Sequence, residues 1–124
     1  MPAYNTVPAI GIYYGDTQNV WSAETPSTST ASQQVALPPN PDGGIYSISA
    51  EIQFSGAPGT FEVDLQTADT DTDHAYVTVP GYGVINQVNA NNWTRAEVSV
   101  KAKFARLYLS ARGNSVSMTA SISR

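Results

Sequence analysis

From Gly44 to the end of the chain, apolar and polar residues alternate almost one by one, and this period of two constrains the fold more than any other feature. In "IYSISAEIQF", Ile45 to Phe54, the residues Tyr46, Ile48, Ala50, Ile52 and Phe54 fall on one side and Ser47, Ser49, Glu51 and Gln53 on the other. Extended backbone points successive side chains to opposite faces, so this stretch reads as a strand with one face in a core and the other in water. "FEVDLQ" repeats the pattern with Phe61, Val63 and Leu65 inward, and the intervening "SGAPGT" is turn chemistry, so the two segments read as a hairpin.

The alternation continues through "AYVTV" (Ala75 to Val79) and "VINQV" (Val84 to Val88), both short. The longest run, Trp93 to Phe104, places Ala96, Val98, Val100, Ala102 and Phe104 inward and Arg95, Glu97, Ser99, Lys101 and Lys103 outward. "RLYLSA" and "SVSMTASIS" obey the same rule and are joined by a turn at Gly113 and Asn114, which reads as a second hairpin. Half-solvated strands with short connections pair antiparallel, and seven or eight of them close into two packed sheets. The expected fold is therefore all-β: an antiparallel β-sandwich, jelly-roll-like, over residues 45–124. A chain of 124 residues buries roughly two-thirds of its unfolded surface, enough for a core without disulfide or metal.

Residues 1–44 differ in character. "TPSTSTASQQ" is nearly devoid of apolar residues and "LPPNPDGG" is full of chain breakers. This region is expected to be an extended N-terminal arm with short strands, set apart from the sandwich. Its apolar residues are scattered, among them Tyr13, Tyr14, Trp21, Val35 and Leu37. Tyr and Trp are enriched where proteins touch, so these five are the expected interface residues, docking on a neighbour.

Charge narrows the partners. The nine acids of residues 1–94 stand without a single Lys or Arg, whereas residues 95–124 hold all six basic residues and one acid, Glu97. Opposite halves of this kind attract, within one molecule or between copies. A sequence pI near 4.6 and six scattered cations give no phosphate-tracking stripe, which argues against a nucleic-acid partner. No run of 18 apolar residues and no basic N-terminal region are present, so a soluble protein without a membrane partner is expected. The absence of cysteine removes thiol chemistry and leaves the redox compartment open.

Three clusters carry the chemistry a site would need. In "DTDTDH", Asp69, Asp71 and Asp73 match the first three ligand positions of an EF-hand loop, but His74 stands where the turn needs Gly and Pro80 where a bidentate Glu belongs. The stretch reads as a solvated turn whose Asp and Thr side chains cap their own backbone. The single histidine, His74, lacks a nucleophile in a Gly-flanked elbow. Glu62 and Asp64 share one strand face about 6 to 7 Å apart, the separation a glycosidase uses but also that of any two outward residues. They are expected to face Lys101, Lys103 or Arg106 across a ladder. No catalytic residue, metal ligand or cofactor site is expected.

The order "SISAEIQFSG", "GTFEVDLQTAD", "YVTV" and "WTRAEVSVKAKFARLYLSARGNSVSMTASIS", with Ser and Thr on the outer positions, resembles the small β-sandwich proteins of tailed-phage virions. That resemblance implies a capsid decoration or cement protein, or otherwise a neck, tail or fibre component. It further implies a home in the virion after synthesis in the host cytoplasm. The partner would be the major capsid protein or another virion protein, and the state a homo-oligomer, a trimer being favoured. The competing reading is a carbohydrate-binding β-sandwich module that stacks sugars on its aromatic residues, with a small hydrolase as a third.

Overall fold

In the computed structural model of the chain, residues 9–13, 15–25, 30–38, 46–55, 61–79, 84–85, 93–100, 102–112 and 117–124 are described. They form eleven strands: β1 (Ile10–Gly11), β2 (Thr17–Glu24), β3 (Thr30–Ala31), β4 (Val35–Ala36), β5 (Tyr46–Phe54), β6 (Phe61–Ala68), β7 (Val77–Thr78), β8 (Val84–Ile85), β9 (Trp93–Val100), β10 (Phe104–Arg112) and β11 (Met118–Ser123). One 3-10 turn covers Asp73–Ala75. The protein is an all-β sandwich.

One sheet runs β2-β11-β5-β9. The other runs β1-β4-β10-β6-β7, with β3 beside β10 and β8 beside β6. Because β3 and β4 lie along the same edge of β10, at Tyr108–Leu109 and Phe104–Ala105 respectively, they act as one interrupted strand. Similarly β8 and β7 line one edge of β6, at Val63–Asp64 and Gln66–Thr67. With β1 set aside, eight strand positions remain, and they nest from the outside in: β2 with β11, β3/β4 with β10, β5 with β9, and β6 with β7/β8, all antiparallel. Rolling that nested ribbon so that β11 also pairs β5 and β10 also pairs β6 gives a jelly roll. The one parallel contact is β1 on β4.

The inward positions follow the sequence pattern. Ile48, Ala50, Ile52 and Phe54 from β5, Phe61, Val63 and Leu65 from β6, Leu107 and Leu109 from β10, and Ile122 from β11 all lie in one buried cluster. Phe54 and Phe61 meet edge to face with ring centroids 4.9 Å apart, at the corner where the chain passes from one sheet to the other.

Pairing departs from expectation in two places. The segments read as hairpins, β5 with β6 and β10 with β11, are not hydrogen-bonded partners, because each pair splits between the two sheets. Trp93 to Phe104 is likewise not one strand: β9 ends at Val100 and β10 begins in the opposite sheet. There the phase resets, so Ala105, Leu107 and Leu109 are fully buried while Phe104 is only half-buried.

The N-terminal region is not an arm set apart. β2 flanks β11 in one sheet, and β3 and β4 flank β10 in the other. Five of the eighteen core-cluster residues, Ile12, Val20, Trp21, Val35 and Leu37, come from it, which moves the expected boundary at Gly44. A turn at the start is pinned to the end of the chain: Gly15 N donates to Arg124 O, Arg124 N to Asp16 O, and an Arg124 guanidinium NH to Ile12 O, all within 2.9 Å. Gly15 sits at φ 90°, a backbone region that glycine enters without strain.

Candidate functional site

Of the five expected interface residues, three serve the core. Trp21 is 4% exposed, Val35 0% and Leu37 2%, so their apolar surface is already spent inside the chain. Trp21 escaped the alternation rule because of a β-bulge: Ala120 pairs Trp21 while Ser121 pairs Asn19, leaving Val20 as an extra residue. The bulge lets the adjacent Val20 and Trp21 both point inward. Tyr13 is different, at 63% exposed on the pinned turn, where its backbone NH donates to Asp16 Oδ2 at 2.8 Å. Tyr14 lies outside the described residues.

The richest set of polar side chains lies on the outer face of the seven-stranded sheet, beneath the loop that follows β6. β10 alternates, so Arg106 points away from the sandwich core, yet it is only 2% exposed. Two contacts account for this. Its Nε donates to Gln66 Oε1 at 2.8 Å, from the residue directly opposite on β6, and its guanidinium lies 4.2 Å from the Tyr76 ring centroid. The Tyr108 ring is 6.0 Å away. A guanidinium held over an aromatic face keeps a favourable electrostatic environment out of water.

Tyr76 in turn fixes the acidic loop. Its hydroxyl donates to Asp71 Oδ1 at 2.8 Å, and Gln34 Nε2, from the break between β3 and β4, donates to the same oxygen at 3.2 Å. Ser32, in that break, completes the seam: its Oγ accepts from Leu107 N at 2.9 Å. Thus the middle carboxylate of "DTDTDH" ties three chain segments together. The rest of the loop bonds to itself, Thr72 N to Thr70 O and Ala75 N to Thr72 O. Among the described residues, no three His, Asp or Glu side chains converge as metal ligands. His74 is exposed.

Glu62 and Asp64 lie further along the same face; of the cations expected to face them, Lys101 lies outside the described residues and Arg106 stands opposite Gln66 instead. Register puts Tyr108 opposite Asp64 and Ala111 opposite Glu62, while Lys103 lies beyond the strand's other end. Instead Glu62 Oε2 accepts from Ser110 Oγ at 2.8 Å. Burial pushes the Asp64 carboxyl above its ordinary value of 3.8, the neighbouring Glu62 charge adds to this, and a hydrogen bond from Thr78 opposes it. Asp64 therefore holds its proton more readily than a free aspartate would.

The outer face of the other sheet is plainer. By register its rows read Thr17, Ser123, Ser49 and Glu97, then Asn19, Ser121, Glu51 and Arg95. Thr17 Oγ1 and Ser123 Oγ share a hydrogen bond of 2.9 Å. Hydroxyls and amides dominate it.

No protein-family model matches the sequence, and no curated protein matches it. Among solved structures, the chain is similar to the crystal structure of the SPBc2 prophage-derived protein YomS, with a TM-score of 0.50 and 9% sequence identity. The match covers 90% of this chain and 96% of that one. At that identity the likeness is one of fold, and it takes in most of the chain.

Proposed function

We infer that the chain is a structural protein of a tailed-phage particle, a non-enzymatic jelly roll that binds at junctions between capsid subunits and stabilises the shell. The observation that carries this reading is the fold shared over 90% of the chain with a prophage-derived protein of similar extent. The chemistry of the outer faces supports it. Arg106, Asp71 and Glu62 are each engaged by Tyr76, Gln66, Gln34 or Ser110, so these charged groups hold the scaffold together. Among the described residues, the scaffold offers outward hydroxyl-rich strand rows and a few exposed apolar groups, Ile10, Tyr13 and Val77. Such a surface docks on proteins; it stabilises a shell by mass action, by about 2.7 kcal/mol per site when free protein is at a hundred times its Kd.

Binding through Tyr13 and Ile10, on the edge beside β1, replaces the expected docking through Trp21, Val35 and Leu37. The test is co-sedimentation with purified particles of the phage that encodes the chain, with oligosaccharide titration beside it. Saturable co-sedimentation that weakens on Tyr13→Ala supports the reading. Failure to bind particles together with saturable binding of a glycan would replace it with a carbohydrate-binding module.

A further inference from the structure

Sheet edges present unpaired backbone groups, and proteins usually blunt them with short strands, bulges or prolines. The described edges here follow that rule with one exception. On the seven-stranded sheet the outer strands β1, β3, β4, β7 and β8 are two residues each. On the four-stranded sheet β2 is longer but carries two register shifts against β11. β9 alone is long and regular: its eight residues pair with β5 in unbroken register from Tyr46↔Val100 to Gln53↔Trp93. Among the described strands nothing pairs with its other edge. Its sequence, "WTRAEVSV", contains no Pro, Gly or Lys.

We propose that β9 is the self-association edge of this protein, joining two copies through antiparallel β9–β9 pairing about a two-fold axis at Ala96, so that two four-stranded sheets become one continuous sheet.

The argument for a second copy is charge complementarity. Directly opposed residues of an antiparallel pair share a sheet face, so a two-fold axis perpendicular to the sheet must pass through a residue position and not between two. An axis at Ala96 sets Arg95 of each copy opposite Glu97 of the other, pairing the only two charged residues of β9 twice over. Neighbouring positions fail. Centring on Arg95 opposes Arg95 to itself, centring on Glu97 opposes Glu97 to itself, and centring on Thr94 or Val98 no longer sets Arg95 and Glu97 opposite each other. Like charges directly opposed are destabilising, and the register at Ala96 alone pairs both opposite charges.

The charged row also extends the one within each copy. Glu51 already stands opposite Arg95 in the β5–β9 ladder, so the continuous sheet reads Glu51, Arg95, then Glu97 and Ser49 of the second copy. An isologous contact of this kind closes at two copies. It gives a dimer in place of the trimer expected from the resemblance, and it stands independently of the particle reading, since its test uses the protein alone. One eight-residue edge buries less than the roughly 1,200 to 2,000 Å² of a stable interface, so the dimer is concentration-dependent.

The experiment is charge reversal in trans, read by sedimentation equilibrium, with circular dichroism to confirm that each variant folds. The full-length protein is expected to show a mass of twice 13.2 kDa that falls to one copy on dilution and on raising salt. R95E sets Glu against Glu and E97R sets Arg against Arg, so each variant alone should dissociate about tenfold more readily or remain monomeric. Mixed one to one they should recover the dimer as a heterodimer, because both charge pairs re-form. A fold defect in either variant would not be rescued by mixing. Should one variant fail to fold, faster backbone-amide exchange in β9 on dilution of the wild-type protein supports the proposal, and exchange there independent of concentration overturns it. A protein monomeric at millimolar concentration, a trimer, or a dimer indifferent to both substitutions would also overturn it.

Discussion

Replacing Trp21 by Ala separates a core residue from a docking residue. Trp21 is 4% exposed and packs in the cluster shared by both sheets. A buried aromatic side chain removes roughly 150 to 250 Å² from water, worth about 4 to 6 kcal/mol at about 25 cal/mol per Å². Truncations of Phe or Trp to Ala in protein cores cost about 3 to 5 kcal/mol. The expected loss is therefore about 4 kcal/mol, a large fraction of the roughly 5 to 15 kcal/mol that holds a domain folded. With an unfolding entropy of about 2.1 cal/mol/K per residue, this corresponds to a fall in Tm of about 15 °C for a chain of this length. Urea unfolding followed by far-ultraviolet circular dichroism is the assay, because the substitution removes a fluorophore. It is read at a protein concentration low enough to keep the chain monomeric. A loss below about 1 kcal/mol would refute the reasoning, since it would mean that Trp21 contributes little to the isolated chain and is free to serve a partner.

Further perturbations follow from the seam and the turn. Tyr76→Phe keeps the ring over Arg106 but removes the 2.8 Å bond to Asp71, and is expected to cost about 1 to 2 kcal/mol and speed amide exchange in residues 69–76; unchanged exchange would show that this bond does not hold the loop. Asp64 has a folded-state pKa above its ordinary 3.8, so the folded chain binds its proton more readily than the unfolded chain, and stability contributed by this group falls as pH rises through that window. Asp64→Asn should accordingly raise Tm at pH 7 and lose that advantage below pH 3.8; an advantage persisting at low pH would contradict the assignment. Gly15→Ala meets no atom within 4 Å but must hold φ at 90°, so it should cost about 1 to 2 kcal/mol through the backbone alone, and a stabilised variant would refute that account.

The faces of the long strands were legible in the sequence, because a half-solvated strand writes its orientation at every second residue. Ile48 to Phe54 and Phe61 to Leu65 lie inward as the alternation requires. Partners were not legible: β5 and β6 each need an inward face whether they pair side by side or face one another across the core, so alternation cannot tell a hairpin from a crossover. β3 and β4, at two residues each, are too short to show any period, and the bulge at Val20 erased it from β2. Ser, Thr and Pro around them therefore read as an arm.

The polar seam was hidden for another reason. Arg106 looked like an ordinary outward cation, and only the return of the 69–76 loop places Tyr76 over it and Asp71 against Gln34. The spacing from Gln34 to Asp71 to Arg106 is set by topology. The outward position of Arg106 was visible in the sequence; its burial was not.

The proposed function makes the protein a stoichiometric part of a phage particle. Quantitative peptide mass spectrometry on gradient-purified particles of a phage that carries the gene measures this directly. The account predicts the chain at many copies per particle, in fixed ratio to the major capsid protein and retained through salt washes. Its absence from particles, with the chain present in the soluble lysate of infected cells, would contradict it.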